Sequence, residues 1–101
     1  MKKSNYRVGA KVWIYPSETA QWHFVNVPKK ESIEITKNFG GVLRGWGSLP
    51  VSVTIGKTTW ITSIFSDKRS GCYLLPIKSK VREKEGILVD DNIVFTFKIF
   101  P

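Results

Sequence analysis

With 101 residues the chain has room for one domain, 1–101, and its 42% hydrophobic and 13% aromatic content excludes a disordered or low-complexity protein. Sixteen Lys and Arg against eight Asp and Glu leave a net charge of +8, which favours polyanionic partners and solubility alike; twelve of those cations are Lys and only four Arg, which weakens base-specific nucleic-acid readout. A single cysteine, Cys72, excludes an intrachain disulfide and suits a reducing cytoplasm, no stretch approaches a membrane span, and the basic start Met1-Lys2-Lys3 lacks the apolar run of a signal peptide.

Residues 6–15 read as a first strand, with Val8, Val12, Trp13 and Ile14 around Gly9, and Pro16-Ser17-Glu18 is a turn signal. A second strand over 20–27 carries Trp22, Phe24, Val25 and Val27, and places His23 on the face opposite Trp22 and Phe24. The period then changes. Lys29 to Asn38 predicts a short amphipathic helix, with Pro28 at its start, Gly40-Gly41 past its end, Ile33 and Phe39 facing one way with Ile35 nearby, and charged residues over the rest. Residues 41–50 interleave Gly41, Gly45, Gly47 and Pro50 with Trp46 and read as a loop or an irregular strand. In the hairpin of 49–65, Val51, Val53 and Ile55 alternate with Ser52 and Thr54, Gly56-Lys57 makes the turn, and Trp60, Thr62 and Ile64 resume the alternation. A polar loop over 66–71 leads to a strand from Cys72 to Ile77 with Tyr73, Leu75 and Ile77 on one face, where Pro76 marks its end or an edge position. The charged stretch 78–85 forms a helical turn closed by Gly86, and 92–100 is a final strand with Ile93, Phe95, Phe97 and Ile99 inward. A weak internal echo links Val27-Pro28-Lys29-Lys30-Glu31-Ser32-Ile33 to Leu75-Pro76-Ile77-Lys78-Ser79-Lys80-Val81, and two such halves would make a small pseudo-symmetric barrel. These elements predict a mainly β protein: a small closed or partly open barrel of about six to seven strands with one short helix, since closure removes edges that so β-rich a chain must protect.

The stretches Gly47-Ser48-Leu49-Pro50-Val51-Ser52-Val53-Thr54-Ile55-Gly56, Trp60-Ile61-Thr62-Ser63-Ile64-Phe65, Gly71-Cys72-Tyr73-Leu74-Leu75-Pro76-Ile77-Lys78 and Val81-Arg82, with Trp22 and Pro28 upstream, resemble the bacterial domain-of-unknown-function family nineteen-hundred-and-five. The resemblance departs at Ser66, where the family usually has Pro, and at Asp90-Asp91, where it usually has Gly-Asp; Asp90 then falls where a turn wants positive φ, which Asp tolerates better than most residues. The resemblance implies a double-split β-barrel, distantly shared with swapped-hairpin transcription factors, and occasional fusion to a bacteriocin-protection or OmpD-associated domain. It implies no established activity.

Two groups of residues are candidates for chemistry. Lys78 and Arg82 are four apart, as are Lys80 and Lys84, so each pair shares a helix side. If the first pair points back at Trp60 and Ser63, Arg82 would grip an anionic group bidentately while Ser63 donates a hydrogen bond; a solvated helix face explains the same charges. Trp60, Thr62 and Ser63 offer a stacking ring beside hydroxyls, and core packing explains Trp60 with less. Trp46 among its glycines marks either a binding surface or a lid over one barrel end. The lone His23 makes no case for a metal site and none for a nucleophile pair with Cys72. Asp90-Asp91 reads as a tight-turn cap before it reads as a cation site. No cofactor is expected. The sequence therefore supports first a cytoplasmic, non-enzymatic module for a small anionic or polar ligand, then a nucleic-acid-binding barrel using its basic surface, and least an enzyme, since no acid–base or nucleophile pair stands out. No integral membrane association is expected, and the oligomeric state is open.

Overall fold

The computed structural model describes residues 3–17, 21–43 and 45–101, without the side chain of Trp46; Glu18 of the expected Pro16–Glu18 turn and Met1-Lys2 lie outside the described residues. Seven strands form one antiparallel sheet: β1 (Asn5–Lys11), β2 (Trp13–Tyr15), β3 (Trp22–Asn26), β4 (Ser48–Ile55), β5 (Thr58–Asp67), β6 (Cys72–Pro76) and β7 (Asn92–Ile99). Helix α1 (Lys29–Phe39) follows β3, and a second helix, α2 (Ser79–Glu85), occupies the charged stretch expected to make a helical turn. The Gly-rich segment before β4 is neither loop nor strand throughout: it winds into two short 3-10 turns, Gly40–Val42 and Gly45–Gly47.

The strand order is β1-β7-β4-β5-β6-β3-β2. Its two ends, β1 and β2, are consecutive in the chain with Val12 alone between them. One run of backbone therefore pairs with β7 at one edge and β3 at the other, and the sheet curls into a half-barrel. The Val12 corner is fixed on both sides, its N–H donating to Asp91 O (2.9 Å) and its carbonyl accepting from Asp90 N–H (2.8 Å). The central hairpin has the expected two-residue turn, with Ile55 opposite Thr58, and β4 presents Leu49, Val51, Val53 and Ile55 inward in strict alternation. These meet Trp60, Ile64, Tyr73, Leu75, Phe95, Phe97 and Ile99 in one buried cluster, as period-2 patterning requires.

Helix α1 starts and ends where its sequence signals lie, but its apolar side differs. Ile33 is 59% exposed, and Ser32, Ile35 and Phe39 are buried. At 100° per residue, Ile33 and Phe39 are about 120° apart around the helix, whereas Ser32 and Phe39 nearly eclipse. Ser32 tolerates burial because its hydroxyl donates to Val27 O and accepts from Tyr73 N–H, both at 2.9 Å.

The internal echo has a structural counterpart only in a register shifted by two: the pairing relates Val27 to Ile77 and Pro28 to Lys78, where the sequence echo sets Val27 against Leu75 and Pro28 against Pro76. Val25 pairs with Leu75, and around that rung Val27 N–H donates to Tyr73 O while Ile77 N–H donates to His23 O. Each strand then turns into a helix, β3 into α1 and β6 into α2. A local two-fold relates the halves, and Ser32, four residues after Pro28, corresponds to Arg82, four residues after Lys78.

Candidate ligand-binding site

A gap in the sheet creates the site. The β5–β6 ladder covers only Phe65–Leu74, Ser66–Tyr73 and Asp67–Cys72. Beyond it, β5 stays with β4 and β6 with β3. Residue type explains where the ladder stops. Tyr73 and Ile77 both bond toward β3, so the intervening even-numbered backbone groups face β5. Pro76 is one of these and has no N–H to offer.

Helix α2 borders the gap. Lys78 caps it in extended backbone, and Gly86 ends it in left-handed backbone at φ 62. Its C-terminal end is tied to the β4–β5 turn by Glu85, whose Oε2 accepts from Thr58 Oγ1 at 2.6 Å. Gly56 makes room for that tie: it has φ 57, and a Cβ there would overlap Glu85 Oε1.

Between these elements lies a cleft of about 390 Å³. Its walls come from β3 (Trp22, His23), β5 (Trp60, Ile61, Thr62), the end of β6 (Pro76, Ile77) and the start of α2 (Lys78, Ser79, Arg82), with Gln21 at the rim. Arg82 is held in place. Its Nε–H donates to Ile77 O at 3.1 Å, and Nη1 lies 3.4 Å from His23 Nε2. A guanidinium only donates, so Nε2 is the acceptor and the imidazole proton sits on Nδ1. That Nδ1 is buried with no hydrogen-bond partner among the described residues. Arg82 thus makes the bond to the strand-end carbonyl that Ser32 makes in the other half, but a long side chain replaces a hydroxyl. The two contacts use two of its five N–H groups.

Lys78, Arg82, Trp60 and Thr62 therefore meet in one concavity. Trp60 is 9% exposed: it is a core residue that also lines the cleft. Thr62 is half-buried on the same side of β5, and Lys78 is exposed at the mouth. Ser63 does not join them. It alternates to the other side of the strand, opposite Pro50, and does not line the cleft, so the expected partnership of Ser63 with Arg82 gives way to His23 with Arg82. Lys80 and Lys84 are exposed and outside the cleft. Trp46 belongs to the Gly45–Gly47 turn, and its side chain lies outside the described residues. Sequence reasoning missed Trp22 and His23 as site residues. Alternation set His23 on the face opposite Trp22 and Phe24 but did not say which face is the inner one, and its partner is 59 positions away.

A further concavity of about 470 Å³ lies beside Trp13, Tyr15, Asn26, Asp67 and Arg69. The polar groups of Trp13, Asn26, Asp67 and Ser70 are committed to structure. Trp13 Nε1–H donates to Asn26 Oδ1 (2.8 Å), and Asp67 Oδ2 accepts from Ser70 Oγ (2.7 Å) and Ser70 N–H (3.2 Å). The Ser70 hydroxyl bond, foremost, holds the Asp67 carboxyl below its ordinary value. Among the described residues no group of three or more His, Cys, Asp and Glu is placed to hold a metal ion.

The model of one protein family, described as a domain of unknown function (DUF1905), matches residues 9–97, and the chain belongs to that family. The matched span contains every residue lining the cleft. A comparison with curated proteins finds no match. Among the described residues no helix is long and apolar enough to cross a membrane.

Proposed function

We propose that this protein is a non-enzymatic binding module that takes a small anionic or polar ligand in the cleft between β5, β3 and α2. The observation supporting this reading is the convergence of Lys78 and Arg82 with Trp60 and Thr62 in one cavity. Its size falls in the range of small-molecule sites, about 300–1,000 Å³. Arg82 is pre-oriented by Ile77 O and His23, so less side-chain freedom is lost when it grips an anion. The unsatisfied Nδ1–H of His23 is a polar group whose burial calls for a reason. The free thiol of Cys72 fits a reducing, cytoplasmic setting.

The test is calorimetric titration of the full chain with a panel of anionic metabolites, in wild type and in Lys78→Ala/Arg82→Ala. At least one ligand binds wild type, and the double variant weakens it tenfold or more. Equal binding of every ligand by both proteins overturns the assignment.

Nucleic-acid binding is a second reading, favoured by the net charge of +8 together with exposed aromatics, Trp22 and Tyr15, on the sheet's outer face. It predicts affinity for single strands that falls steeply with salt. A flat salt response, or no gel shift at low salt, removes it.

A further inference from the structure

We infer that the ligand of this cleft is an amphipathic anion: a charged head group seated at Lys78 and Arg82, carrying a flat apolar body that extends over the outer face of the sheet. The inference rests on the binding reading above and adds the class of ligand. It starts from a second concavity, of about 760 Å³, that adjoins the cationic cleft. The two share Trp22, Thr62 and Pro76 as a common wall. The second concavity is completed by Phe24, Phe65 and Leu74 with Ser66, so among the described residues no charged side chain lines it.

The same gap in the sheet produces both. Where β5 and β6 part, Phe65 and Leu74 form the last rung, and β3 brings Phe24 opposite Pro76. Strand alternation puts Phe24, Leu74, Phe65 and Trp22 on the outer side, away from the core. Trp22 stands at the junction and is 55% exposed, an unusual place for the largest apolar side chain.

Charge complementarity selects the occupant. Among the described residues lining the two concavities, cations lie at one end only, in the cleft with Lys78 and Arg82, and the trough beyond Trp22 offers aromatic and aliphatic surface. An inorganic anion would use the first and leave the second hydrated. A neutral apolar molecule would leave the cations unused. A polyanion would carry its next charges along a trough without cations. An aryl or similarly flat carboxylate matches both ends, with Arg82 forking onto the head group and Trp22 against the body.

The test uses 2-naphthoate, its neutral primary amide, and inorganic phosphate as probes, titrated into the full chain and followed by calorimetry and by the tryptophan indole N–H signals. Trp22→Ala is run beside Trp22→Thr, which puts a strand-favouring β-branched residue at the position, with proton spectra confirming that both fold. Expected are naphthoate binding at least tenfold tighter than the amide or phosphate, a fivefold or greater loss in both Trp22 variants, and a tenfold or greater loss in Lys78→Ala/Arg82→Ala. Naphthoate and its amide binding alike, or naphthoate insensitive to Trp22, overturns the amphipathic class. If phosphate then still binds and depends on Lys78 and Arg82, the anion site survives without the trough. If no probe depends on Lys78 and Arg82, the amphipathic assignment fails; if the metabolite panel shows no such dependence either, the anion site fails as well. Competition by a single-stranded oligonucleotide that needs Trp22, or a dimer in solution that buries Trp22, assigns the trough to another occupant and overturns the inference.

Discussion

Asp90 is the one non-glycine residue with positive φ among the described residues, at 71°. Its N–H holds the Val12 carbonyl, and the neighbouring Asp91 carboxylate accepts from Leu88 N–H at 2.9 Å. The pair caps a tight turn, as its residue types suggest, and the left-handed position costs an L-residue about 1 kcal/mol that glycine does not pay. Asp90→Gly is therefore expected to raise unfolding stability by about 0.5–1 kcal/mol, less than the full strain because glycine also gains freedom in the unfolded chain. Urea unfolding with an unchanged m-value checks this; a loss of stability would show that the Asp90 side chain contributes more than its backbone costs. This position was legible in the sequence because one residue and its turn context decide it. The His23–Arg82 contact was not, because it joins groups brought together only by the β3–β6 pairing.

At the scale of elements, α2 is the piece whose role the sequence left open. Its composition of Lys, Arg and Glu fits a solvated helix, and Lys80, Glu83 and Lys84 are indeed exposed. Two residues make it more than that: Val81 is buried at 1% exposure, and Glu85 reaches Thr58. The helix is seven residues long, too short to hold itself together in water, so those anchors position Arg82. Glu85→Ala is expected to lower global stability by only about 1 kcal/mol, as for one partly exposed charge-assisted bond. It is also expected to speed amide exchange in α2 selectively and to weaken anion binding at the cleft. Exchange in α2 that matches wild type would mean that Val81 alone suffices. Gly56 belongs to the same device, since a Cβ there would displace the Glu85 carboxylate from its place.

For the whole molecule, closure depends on Val12. It is fully buried, it lies where one strand passes from the first edge of the sheet to the last, and both its backbone groups are bonded to the turn before β7. Val12→Ala is expected to cost about 2 kcal/mol from lost burial and the cavity left behind. Val94→Ala, at a site 55% exposed on β7, is expected to stay within about 0.5 kcal/mol. Denaturant unfolding of the two variants side by side tests whether the corner carries that load; equal effects would contradict it. Most strands were readable in advance, because alternation in Val51–Ile55, Tyr73–Ile77 and Phe95–Ile99 is a local property with a period of two; the single strand expected over 6–15 is instead two, β1 and β2, parted at Val12 because their partners lie at opposite ends of the sheet. The same holds for the hairpin turn at Gly56-Lys57 and for the limits of α1. The buried side of α1 was not, since a polar Ser32 lies on it and is satisfied only by Val27 O and Tyr73 N–H from elsewhere in the fold. Pro76 shows the division most clearly. The sequence by itself determined that Pro76 marks either the end of its strand or an edge position. The tertiary structure alone decided that its missing N–H faces β5, that the sheet parts there, and that Trp22, His23, Trp60 and Arg82 gather around the opening. Strand patterning is written in neighbours a few residues apart, whereas a cleft is made by long-range pairing that brings distant residues to one place.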